Sequence, residues 1–111
     1  MVHRCLEAAT IFAGHIHLHD LRTIIPWDQD AVLESVHHNG KVLIVHEDNL
    51  TSGFGAEIAA IIACQAFTDL DAPIYRLAAA DIPIPYNIGL MNKVLPGVDT
   101  IRSRIMEMLK Y

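Results

Sequence analysis

Along this chain the apolar side chains switch between two spacings. Val2, Cys5, Leu6, Ala9 and Phe12 recur every three or four residues, the period of a helix with one buried face, and Gly14 closes it. His15 to Asp20 then alternates polar with apolar, which predicts a strand, and Pro26 interrupts the extended run ahead of Trp27. Asp28 is placed to cap a second helix carrying Ala31, Val32, Leu33 and Val36, with Asn39-Gly40 at its end. KVLIVHED (41–48) is apolar over four successive positions, as a strand covered on both faces should be. GFGAEIAAIIACQAF follows Thr51 and Ser52 as a helix with so little polar surface that it is expected to be largely buried. Pro73 introduces a third strand in APIYRLAAAD, and DIPIPY, restricted by Pro83 and Pro85, reads as an extended connector. After Pro96-Gly97, Val98, Ile101, Ile105, Met108 and Leu109 give a last helix with Arg102, Arg104 and Lys110 outside.

Helix, strand, helix, strand, helix, strand, helix is the order of a parallel sheet between two helix layers, joined by right-handed crossovers. With 111 residues the chain suffices for one domain with a core and is too short for two. Apolar residues at 52% against 19% charged exclude a disordered tail, and no apolar run approaches the roughly 20 residues of a membrane span. A net charge of −5 with scattered basic residues argues against a nucleic-acid partner. The first residues lack the uninterrupted apolar core of a secretory signal, so the cytoplasm is the expected compartment. Cys5 and Cys64, each inside an apolar helical pattern, read as small buried hydrophobes.

Three places could carry chemistry. Ligands of open parallel sheets gather beyond the carboxyl ends of the strands, here Asp20, Arg22 and Thr23, then His46, Glu47 and Asp48, then Asp81. That polar edge is either a small-molecule site or the way strands leave a core. His15, His17 and His19 share one face of the predicted strand and could share a metal, but Asp20 points to the other face and no further ligands are identified. The GFGAE turn (53–57) resembles the start of a phosphate-cradling loop, yet Ile58 stands where a dinucleotide fingerprint needs glycine and no phosphate-loop lysine is present. His37-His38 suits the negative end of the second helix without any ligand.

DLRTIIPWD (20–28), LIVHEDNLTSGFGAEIAA (43–60), LDAPIYRLAAADIPIPY (70–86) and the closing helix together resemble the C-terminal domain of the beta subunit of thiamine-diphosphate-dependent 2-oxoacid dehydrogenases. The branched-chain, 2-oxoisovalerate type is the nearest in pattern. The resemblance implies a transketolase C-terminal-like fold, three layers in α/β/α order with a mostly parallel sheet, in which residues 1–111 form a single domain at the end of a longer subunit. It also implies a parent reaction: decarboxylation of a 2-oxoacid on thiamine diphosphate and magnesium, with acyl transfer to a lipoyl arm. Those cofactors lie outside this region, so no catalytic, cofactor-binding or metal-binding residue is carried over, and none is expected in this fragment. The implied partners are a second beta subunit, the alpha subunit and the peripheral-subunit-binding domain of the acyltransferase. Asp71 and Tyr111 are the residues carried over to that last docking surface. The expected compartment becomes the mitochondrial matrix if the source is eukaryotic.

The same resemblance implies a defect. The first two strands of the family precede Met1, and one of them sits between the strands matching 15–20 and 41–46. A homo-oligomer in which another chain helps to close the gap, or direct pairing of the two flanking strands, is therefore expected. The histidine segment then becomes a packing question, with His19 expected to be the most buried of the three. The alternative function is a free-standing small-molecule or metal-binding α/β domain that uses the polar edge; a third is an anion-binding module at the GFG turn.

Overall fold

A computed structural model describes all 111 residues. Its first helix, α1 (Val2–Ala9), runs into a single 3₁₀ turn at Thr10–Phe12. The side chain of Asp28 accepts the Ala31 N–H at 3.0 Å and starts α2 (Gln29–Asn39). Gly40 ends it in the left-handed region at φ 66°, donating its N–H to the Val36 carbonyl at 2.8 Å. Strand β1 (Leu43–Asn49) leads through α3 (Phe54–Gln65) to β2 (Tyr75–Ala79), and the two strands pair in parallel with Leu43 opposite Tyr75 and Val45 opposite Leu77. The register slips between Val45 and Asn49, so His46, Glu47 and Asp48 occupy an irregular stretch. Two helices close the chain, α4 (Ile88–Val94) and α5 (Val98–Met108).

The strand side chains explain the layers. Val42 and Ile44 pack on one side against Val36 of α2 and Ile58 and Ile62 of α3. Leu43, Val45 and Leu77 pack on the other side against Ala8 of α1 and Ile101 and Ile105 of α5. This is the predicted α/β architecture, helices on both faces of a parallel sheet, with Ile62 and Ile101 as the largest fully buried side chains of the two half-cores.

The sheet has two strands and not three. Residues 15–20 are extended but form no strand, because nothing lies beside them to bond: no backbone hydrogen bond joins them to β1. Direct pairing of the two flanking segments does not occur. A cavity of about 870 Å³ separates them, lined by Ile16 and Leu21 on one bank and Leu43 and Val45 on the other.

Four further expectations are corrected. His19 is exposed, as are His15 and His17; the half-buried residues there are Ile16 and Leu18, and the His17 and His19 rings lie 4.4 Å apart over the edge of α2. Cys64 is exposed and Cys5 half-buried, since α3 buries only the face of Gly55, Ile58 and Ile62 and turns Ala60, Ala63 and Cys64 outward. Arg102 and Arg104 are partly covered, Arg102 donating to the Glu7 carbonyl at 3.2 Å across to α1. Helix α4 was hidden by the prolines before it; Asn87, whose side chain accepts the Leu90 N–H at 3.2 Å, was its signal.

Candidate functional site

At the carboxyl end of the sheet the predicted polar residues are spent on nearby turns and caps, and no hydrogen bond or ion pair joins those of different strand ends. Thr51 donates its backbone N–H and hydroxyl to Asp81, at 2.9 and 2.6 Å, and these bonds hold the Asp81 carboxyl below the usual carboxylate range. Asp48 accepts the Phe54 N–H at 3.2 Å and thereby caps α3. Arg76 reaches the Leu50 carbonyl at 2.8 Å, and Glu47 takes the terminal amino group of Met1 at 2.9 Å. Asp20 and Arg22 pair at 3.2 Å on the outer bank of the cavity, while the Thr23 hydroxyl donates to the Pro26 carbonyl.

His46 stands apart from this set. Both ring nitrogens are buried without a hydrogen-bond partner, and burial pushes its pKa down from the ordinary histidine value. Asp48 opposes that shift and Arg76 adds to it. The ring lies on the glycine turn: a Cβ at Gly55 would overlap the imidazole, and one at Gly53 would overlap the Asn49 carbonyl. The two glycines are therefore explained by close approach of strand and ring.

No phosphate cradle forms at that turn, since the Asp48 carboxylate occupies the position an anion would take at the start of α3. No group of three His, Cys, Asp or Glu is arranged to hold a metal ion, the histidine segment included. His17 Nδ1 lies 3.2 Å from the Ser35 hydroxyl, but both are at the surface and no carboxylate orients the ring. Burial raises the Cys5 thiol, which disfavours its reactive form.

At the opposite, amino end of the sheet the structure places Asp71 and Tyr111. The Asp71 N–H bonds to the Gly40 carbonyl at 2.8 Å, and its carboxylate lies against Gly40, where a Cβ would strike it. That contact, with the positive φ, is why residue 40 is glycine. Asp71 is exposed and has no ion-pair partner. Tyr111 meets Tyr75, the first residue of β2, with the hydroxyls 3.2 Å apart, a bond that raises the Tyr75 pKa. Arg104 stacks over the Tyr75 ring at 4.8 Å and pairs with Glu107 at 2.7 Å. Tyr75 and Glu107 were not singled out from sequence, and Arg104 only as an outer residue of the last helix; the one-turn spacing of Arg104 and Glu107 was the available signal.

The fold is a parallel α/β sandwich whose polar edge residues are used in turns and caps. Residues 1–101 match the family described as transketolase, C-terminal domain, and the chain belongs to that family. Over 110 residues it is 44% identical to the 2-oxoisovalerate dehydrogenase subunit beta 2, mitochondrial, of Arabidopsis thaliana, covering 95% of this chain and 30% of the relative. It is 38% identical to the 2-oxoisovalerate dehydrogenase subunit beta of Bacillus subtilis (strain 168), covering 99% of this chain and 35% of the relative. It is also 39% identical to the pyruvate dehydrogenase E1 component subunit beta of Rickettsia bellii (strain RML369-C), over 83% of this chain and 29% of the relative. The chain therefore spans about a third of the length of these relatives. No helix is long and apolar enough to cross a membrane.

Proposed function

We propose that this chain is the C-terminal assembly domain of the beta subunit of a 2-oxoacid dehydrogenase decarboxylating component, of the branched-chain type. The observation that carries the reading is the family match over residues 1–101, joined to similarity with beta subunits over nearly the whole chain. The branched-chain assignment is supported by 44% identity over 95% of this chain to a 2-oxoisovalerate subunit, where a pyruvate subunit reaches 43% over 75% of it. The parent enzyme would use thiamine diphosphate and magnesium to decarboxylate the 2-oxoacid and pass its acyl group to a lipoyl arm; this domain contributes contacts, not that chemistry. Its partners would be a second beta subunit, the alpha subunit and the peripheral-subunit-binding domain of the acyltransferase, in the cytoplasm or the mitochondrial matrix.

Asp71 and Tyr111 lie at one end of the sheet, and Asp71 has a free carboxylate with which to meet a basic partner. The test is titration calorimetry of the purified chain with peripheral-subunit-binding domains from branched-chain and pyruvate acyltransferases. The branched-chain domain should bind more tightly, and Asp71→Asn should weaken docking several-fold at low salt and flatten its salt dependence. Equal affinity for the two domains would remove the branched-chain assignment. Binding unchanged by Asp71→Asn would remove that residue from the surface.

A further inference from the structure

The outer face of α2 and the extended histidine segment border a second hollow, a polar groove of about 460 Å³. Its rim carries His17 and His19 on one side and Glu34, Ser35 and His38 on the other, with Ala31 as its one apolar residue. Both sides have chelate spacing. His17 and His19 stand two apart on extended backbone, and their ring centroids lie 4.4 Å from each other. Glu34 and His38 stand four apart on one helix, so they lie one above the other on the same face. The ring hydrogen bonds are a second, independent observation. A carbonyl can only accept, so the 2.8 Å bond from His38 Nδ1 to the Glu34 carbonyl fixes the proton of the neutral ring on Nδ1 and leaves the lone pair on Nε2. The Ser35 hydroxyl, 3.2 Å from His17 Nδ1, is placed to engage the same nitrogen of that ring. A ring tied down through Nδ1 with Nε2 left over is how metal-binding imidazoles are held.

From this arrangement we infer that the groove is a zinc site, with His17, His19 and His38 as nitrogen donors and the fourth position open to water. Imidazole donors favour borderline transition ions over magnesium or calcium, and zinc, which has no geometric preference from its d electrons, accepts donors drawn from two different elements. Glu34 adds the negative charge that draws a cation there. As the side chains stand, no three of them surround a point. His17, His19 and His38 are all exposed, so the set closes by turning rings about their side-chain bonds. The bound ion would clasp residues 15–20 to α2 and so fix the outer bank of the larger cavity. Two other histidines are excluded: His37 pairs with Asp69 at 3.2 Å, and His15 lines the larger cavity instead. The inference stands on these side chains alone and does not depend on the reading as a 2-oxoacid dehydrogenase domain.

The test is calorimetric titration of zinc chloride into the purified full chain, with magnesium chloride as control. Zinc should bind with a stoichiometry of one per chain and raise the melting temperature, and magnesium should do neither. X-ray absorption of the loaded chain should show three imidazoles with zinc–nitrogen distances of ~2.0 Å. His17→Gln, His19→Gln and His38→Gln should each weaken binding by no less than the ~10-fold that losing even an outer-shell partner costs. His15→Gln and His37→Gln should leave it unchanged, with circular dichroism checking the fold of every variant. If a variant fails to fold, the absorption spectrum of the unaltered chain still decides. Affinity unchanged in any of the three ligand variants, equal loss in His37→Gln, fewer than three imidazoles on the metal, or zinc held only between two chains in a dimer would each overturn the proposal.

Discussion

His46 is the residue at which packing and charge compete most openly. Its ring fills the space left by Gly53 and Gly55 and has no bond to either nitrogen. Burial disfavours the imidazolium in the folded state, so its pKa is depressed there and the unfolded chain binds the proton first as the pH falls. The stability tied to the neutral ring is thus complete above the unfolded value of about 6.5 and is lost as pH drops through the folded value. Urea midpoints measured from pH 7.5 downward should fall below pH ~6.5 in the parent chain, and the fall should be shallower in His46→Gln. Equal slopes in both would show that other groups carry the acid sensitivity. His46 was legible in the sequence only as one member of a polar strand end; its lack of partners depends on a turn that periodicity does not describe.

Among the elements, those with local punctuation were the legible ones. Asp28 before an apolar period and Gly40 after it bounded α2 because capping is a contact between near neighbours. Asp28→Ala should cost about 1 kcal/mol, read as a lower urea midpoint with unchanged slope. A strand is different, because its identity depends on what lies beside it. The alternation from His15 to Asp20 is real and the backbone is extended, but without a neighbour the segment has no ladder, and its histidines face water. The polar edge behaved in the same way: Asp48 and Asp81 were legible as strand-end residues, whereas their consumption by the α3 cap and by Thr51 was not.

For the molecule as a whole, the sheet divides the interior into two small clusters, and only 15 of 111 residues are buried. Ile62 belongs to one cluster and Ile101 to the other, so each replacement by alanine should cost ~2–5 kcal/mol. Their double variant should show less than about 0.5 kcal/mol of coupling in urea unfolding, since no partner is shared. Larger coupling would mean that the thin sheet transmits packing between the layers. The three-layer plan was legible because binary patterning assigns faces. The gap came only from the resemblance, and its breadth depended on whether two distant segments would close on each other.

The histidine-bearing stretch from 15 to 24 also works as a fence. It roofs the bare rim of β1, which would otherwise offer a template for fibre growth. Its weakest picket is Arg22, exposed and held at φ 56°, where trypsin can reach the chain. Brief tryptic nicking should therefore release thioflavin-positive aggregates on the timescale of cleavage after Arg22, and Arg22→Gln should delay both together.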